Sequence, residues 1–162
     1  MTVRDMIRNT IETCDGLLQA YIGDLTDQEL LTRPNPQSHH IAWQLGHMIA
    51  AEHMMLESAG FPMPALPAGF AEAYTPETAK SDDPAKFHKK EQYLGFLAMQ
   101  RSATLAHLAK LSDTDFDKPS PEQMQSYAPT LGAMFNIIGI HVAMHAAQFV
   151  PTRRKLGKPI VI

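Results

Sequence analysis

From Gln123 to Thr152 the chain carries no Asp, Glu, Lys or Arg, so a helix built from this segment has no charged face to turn toward water. Such a helix must be covered on more than one side, by the rest of the fold, by a partner or by lipid. Asn136, His141, His145 and Gln148 interrupt the stretch, and polar groups at that density make a bilayer span unfavourable. The expected arrangement is a core helix that uses Met134, Ile138, His141 and His145 inward. Ile137, Ile140, Met144 and Ala147 are then left to meet another element or a second copy, and a homodimer is the expected assembly.

The rest of the chain divides at its prolines. Val3, Met6, Ile7, Ile11, Cys14, Leu17, Leu18 and Tyr21 recur at three- and four-residue steps, the signature of an amphipathic first helix. Thr2 followed by Asp5 supplies a capping box for its start. A turn through Arg33-Pro34-Asn35-Pro36 precedes a second helix from about Ser38 to Ala59, where Gly60 can adopt the left-handed conformation that ends it. Residues 60–82 hold Pro62, Pro64, Pro67 and Pro76, too many for one helix to tolerate, and read as a long crossover loop. Asp83-Pro84 looks like an N-cap and first helical position, opening a third helix that ends near Ser112. Thr130 caps a fourth helix that should stop near Phe149, ahead of Pro151. The fold class expected is all-α: a four-helix bundle with a long crossover loop between the second and third helices, one domain over residues 1–162.

Composition limits the partners. The formal net charge of -3 is spread over mixed-sign clusters and offers no basic stripe for phosphates, so nucleic acid is not expected. Cys14 is the only cysteine and no disulfide can form within the chain, which points to a reducing cytoplasm. Arg4, Asp5 and Arg8 interrupt the N-terminus where an export signal needs an apolar run.

The chemistry concentrates at His141 and His145. Imidazoles one helical turn apart face the same way at about 5–6 Å and can share one ion, which needs nitrogens at about 2.0–2.1 Å. Two ligands alone hold metal weakly, and the pair could equally be hydrogen-bonded core residues. A third ligand has to come from another helix; His47, central in the second helix with Ala50 and Ala51 one turn away, is the candidate. His39, His40, His53, His88 and His107 have no partner at helical spacing and read as surface or boundary residues. Val142 stands where a zincin-type peptidase places its general base, so peptidase activity is disfavoured. Gln148, one turn beyond His145, reads either as an orienting group or as a solvent-facing amide.

At these residues the chain resembles the DinB/YfiT-like superfamily. Trp43-Gln44-Leu45-Gly46-His47 is similar to its second-helix motif and His141 through Gln148 to its fourth-helix motif. Leu66-Pro67-Ala68-Gly69-Phe70 and Arg153 through Pro159 extend the likeness over nearly the whole chain. The resemblance implies a four-helix bundle in which His47, His141 and His145 hold a divalent ion, nickel or zinc, with coordination positions left open. Where many members carry a glutamate after the first fourth-helix histidine, this chain has Val142 and Ala143, which weakens a carboxylate-assisted mechanism. Three functions remain open: a metal-dependent S-transferase or isomerase using a low-molecular-weight thiol, a metal-dependent hydrolase, and a non-catalytic, stress-associated metal-binding protein. The expected pocket is apolar, lined by Trp43, Met134 and Ile138, with Leu66 to Phe70 as a lid, and suits a small-molecule ligand or thiol.

Overall fold

Helix α1, Val3–Ile22, starts at the expected capping box: the Thr2 hydroxyl accepts from the Asp5 N–H at 3.1 Å and the Asp5 carboxylate accepts from the Thr2 N–H at 2.8 Å. Thr26 and Glu29 repeat the device at α2, Asp27–Leu30, a single turn too short for any periodicity to reveal. Helix α3 spans Ile41–Ser58, α4 Lys90–Leu108 and α5 Leu131–Lys155. These ranges come from a computed structural model that describes residues 1–161. Among the described residues the chain is all-helical, with short 3-10 turns in the connections and no β-strand.

Four helix ends differ from expectation. Helix α3 starts at Ile41 because His40 caps it, its Nδ1 accepting from the Trp43 N–H at 3.0 Å. Asp83-Pro84 does form a cap, with Asp83 accepting from the Ala85 N–H, but the result is one 3-10 turn, and the backbone is extended at Phe87. Helix α4 begins only at Lys90, whose N–H donates to Asp27 at 2.7 Å and whose ammonium donates to the Gly23 and Leu25 carbonyls. A tertiary contact with α2 thus sets that start, and the helix ends at Leu108, short of Ser112. At the other extreme α5 runs through Pro151 to Lys155. A proline there removes the donor to the Ala147 carbonyl, but Ala147 is exposed and water can take the donor's place. Beyond the proline, buried Arg153 donates to the Tyr21 and Pro159 carbonyls and to Asp24, which fixes the last turn.

Two buried clusters define the relative directions of the long helices. One holds Leu18, Tyr21 and Ile22 of α1, Leu45 and Ile49 of α3, Leu97 of α4 and Phe149 of α5. The other holds Ile7, Ile11, Leu56, Leu108, Met134 and Ile138. α1 and α5 therefore run the same way, and α3 and α4 run together in the opposite sense. The α1–α5 approach is close enough that a Cβ on Gly139 would lie 3.1 Å from the Ile11 backbone. Because α3 and α4 are parallel, residues 59–89 have to return the full length of a helix, which explains a long connection broken by prolines. Polar groups gather between the clusters: Glu52 accepts from the Thr104 hydroxyl at 2.5 Å and lies 3.2 Å from Arg101, and Asp15 sits on the other side of that guanidinium. His47 and His141 occupy the same level of α3 and α5, where each helix passes from one cluster to the other.

Candidate metal centre

Antiparallel packing of α3 on α5 brings His47 against His141 and His145. The ring centroids are 5.3 Å apart for His47–His141, 5.2 Å for His47–His145 and 4.6 Å for His141–His145. One ring nitrogen from each histidine can be chosen so that all three lie within 4.8 Å of one another. The Nε2 atoms of His141 and His145 face each other at 3.0 Å. Two nitrogens bound to one tetrahedral ion at 2.0–2.1 Å stand about 3.3 Å apart, so a small opening of this pair admits an ion.

The surroundings hold the rings in that arrangement. Trp43, one turn before His47, stacks on it at 5.0 Å and 7° between planes. Gln44 is buried, and its amide donates to the His39 carbonyl at 3.1 Å, which leaves its oxygen pointing at His145 Nδ1 at 2.8 Å. That oxygen can only accept, so Nδ1 carries the proton and Nε2 keeps its lone pair for the cluster. The orienting amide is Gln44; Gln148 is exposed. Gln44 lay in view within the motif, three residues before His47 and on its face, but its partner belongs to another helix. Gly46 serves a separate contact: a Cβ there would meet the Tyr74 ring at 2.1 Å, so the glycine lets Tyr74 lie against α3, where its hydroxyl joins His88 at 2.6 Å and Tyr93 at 2.8 Å.

Burial keeps all three rings neutral. Desolvation lowers His47, and desolvation with the neighbouring imidazoles holds His141 down to about 4 and His145 down to about 3. At neutral pH they are lone-pair donors. No carboxylate joins the cluster among the described residues; Glu52, on the same helix as His47, turns toward α4 instead. The other histidines are engaged elsewhere: exposed His39 with the Trp43 ring at 4.4 Å, His53 with Gln100, His88 with Tyr74 and His107 with the Pro62 carbonyl. His40 departs from a surface or boundary assignment, since it is fully buried and uses both ring nitrogens, the second toward the Ser81 carbonyl at 3.1 Å.

A cavity of about 440 Å³ opens beside His47 and His141 and is walled by Ala51, Met54, Met55, Tyr127, Ile137 and Met144. This corrects the expected lining. Met134 and Ile138 are buried in the core, Trp43 backs His47 from another side, and Phe70 packs on Tyr74, His88 and Phe96, away from the cavity. The physical reason is helical phase. His145 lies on the buried stripe with Ile138, Val142 and Phe149, whereas His141 lies at its edge with Ile137 and Met144, and the site opens along that edge. A larger hollow of about 650 Å³ lies between α2 and residues 82–89. It contains none of the three histidines, so the smaller cavity is the one joined to the chemistry.

Residues 10–149, which include the whole histidine cluster, match the DinB superfamily. The chain belongs to that superfamily. No curated protein matches this DinB chain. Its fold is similar to that in a crystal structure described as a conserved protein of locus from Enterococcus faecalis, with a TM-score of 0.68 and 16% identity over 98% of this chain and 99% of that one. At that identity the likeness is one of fold.

Proposed function

We propose that this DinB protein is a four-helix bundle, with residues 59–89 as its crossover, whose His47, His141 and His145 hold one divalent ion, nickel or zinc, and which acts as a thiol S-transferase or isomerase on small molecules. The observation that carries the reading is the facing pair of Nε2 atoms, 3.0 Å apart, with His47 closing the cluster. His47, His141 and His145 would hold the ion, which would supply Lewis acidity that favours a thiol in its thiolate form at neutral pH, the proton passing to water. The three imidazoles are neutral and would leave a divalent ion's charge uncompensated, so an anionic ligand such as a thiolate would suit the site. Gln44 holds the proton on His145 Nδ1, and the apolar cavity wall sets few polar side chains beside the reacting groups. The thiolate sulfur would form the new C–S bond with an electrophilic carbon, whose leaving group departs with the bonding pair.

A non-catalytic metal-binding role is the second reading, favoured by one observation: no carboxylate acid or base stands in the cavity lining. Hydrolysis would want such a group and comes third. On the S-transferase reading the protein works in the cytoplasm, as a homodimer. Elemental analysis of chelator-free protein tests the metal, with about one ion per chain expected and loss in His141→Ala, His145→Ala and His47→Ala. A cobalt-substituted site whose spectrum shifts with bacillithiol, and an electrophile consumed only with thiol and metal together, support transfer. No metal uptake from nickel or zinc rejects the centre; a silent cobalt spectrum rejects the thiol.

A further inference from the structure

We propose that the cavity beside His47 and His141 is a binding pocket for an uncharged, apolar small molecule of the aryl or branched-alkyl class, which offers a single polar atom to the histidine end. The proposal deepens the metal-centre reading, on which the placement of that polar atom rests. The apolar body is argued from the wall alone.

Apart from the two histidines, the lining offers one hydrogen-bonding side chain, the hydroxyl of Tyr127, and no Asp, Glu, Lys or Arg. A charged or strongly polar ligand entering it would shed water with nothing to replace the lost hydrogen bonds. The hollow beside α2 differs in this respect, with Asp27, Asp82 and Lys89 in its wall. A volume of about 440 Å³ is within the range of small-ligand sites. Met54, Met55 and Met144 supply three thioethers to one small surface, out of ten methionines in the chain. Flexible, polarisable side chains of this kind adapt to irregular apolar shapes and make favourable contacts with aromatic rings. Met54, Tyr127 and Met144 stand 49%, 56% and 57% exposed around the opening, a grouping of large apolar side chains that a bound apolar molecule would cover. The charge-free run from Gln123 to Thr152 accounts for half of this wall, since Tyr127, Ile137 and Met144 all lie within it.

The test uses full-length protein with its methionine methyl groups labelled with carbon-13. Added to metal-free protein, toluene should shift the Met54, Met55 and Met144 resonances and leave the exposed Met1 and Met6 in place. Ala51→Phe, which fills the wall, should abolish those shifts without lowering metal content. In the cobalt-loaded protein, phenylmethanethiol should bind about tenfold or more tightly than 2-mercaptoethanesulfonate, as burial of a ring would give. Toluene shifts that are absent, or equal at Met1 and Met6, overturn the pocket. So do equal affinities for the two thiols, or shifts at all three methionines that follow protein concentration and ignore toluene, which would give the whole cavity wall, and not its Met144 edge alone, to a second copy. Failure of cobalt to bind would reject the metal centre and leave the metal-free result to decide the pocket.

Discussion

The Gln44 side-chain oxygen stands 2.8 Å from His145 Nδ1, across the interface between α3 and α5. Because the Gln44 amide nitrogen is committed to the His39 carbonyl, the oxygen cannot swing away or be exchanged for a donor. A short polar chain thus runs from the His39 backbone through Gln44 and His145 into the cluster, and it selects the tautomer that leaves Nε2 free.

Removal of that chain is expected to weaken metal binding without abolishing it. Gln44→Leu preserves volume and leaves all three imidazoles, so the site should load, with affinity for nickel or zinc reduced about 10- to 100-fold. Competition against a chromophoric chelator measures the change, and unaltered helicity by circular dichroism shows that the fold survives. An affinity within twofold of the parent would mean that Gln44 does not orient His145.

His40 predicts a pH dependence of stability. Burial holds its pKa down to about 4, from an ordinary value near 6.5, and its Nδ1 must stay unprotonated to cap α3. Between pH 6.5 and 4 the unfolded chain therefore binds more protons than the folded one. The stability that depends on neutral His40 is complete above pH 6.5 and is lost as pH falls through about 4, a change of roughly 3 kcal/mol at most. His40→Asn keeps a capping oxygen and does not titrate. Urea unfolding of the metal-free protein from pH 7 to pH 4 should show a shallower decline in that variant, whatever its stability at pH 7. Parallel curves would remove His40 from the explanation.

The sequence made the histidine cluster readable because its signal is local: a pair four residues apart on an apolar helix and one more histidine inside a recognisable motif. Thr2-Asp5 and Thr130 were readable as caps for the same reason. What escaped depended on contacts between distant segments. Asp83-Pro84 has the right local chemistry, yet Asp27 decides where α4 begins. Pro151 should stop a helix, but its exposed neighbour Ala147 and the bonds of Arg153 let α5 continue. The opening of the cavity turned on the phase of α5, where the step from Ile138 to Ile137 separates core from pocket wall. Periodicity finds the apolar side of a helix without saying which edge the fold leaves uncovered.

Gly46 and Tyr74 give a packing prediction. An added methyl at Gly46 meets the Tyr74 ring at 2.1 Å, and the ring is held by its hydroxyl bonds to His88 and Tyr93. Gly46→Ala should therefore destabilise the protein by about 1–3 kcal/mol. The same substitution made on a Tyr74→Ala background has room for the methyl, and its added cost should fall below about 1 kcal/mol. The difference between the two, read from denaturant unfolding as a double-mutant cycle, measures the contact directly. Equal costs in both backgrounds would show that the strain lies elsewhere on α3.

We propose that two copies pair through the outer face of α5. Ile140 and Met144 stand 38% and 57% exposed, one turn apart, with Ala147 exposed on the next turn. No charged residue lies on this part of the helix, and an uncovered apolar row of that length favours association through a two-fold axis, where each helix meets its own copy. The wild-type protein should sediment as a dimer at micromolar concentration. Ile140→Glu would place two like charges face to face across the axis, and that variant should sediment as a monomer while its metal content stays at the parent value. Met144 also lines the cavity, so loss of the dimer should change how tightly phenylmethanethiol binds more than how tightly the ion does. A wild-type protein that sediments as a monomer across the micromolar range would reject the pairing.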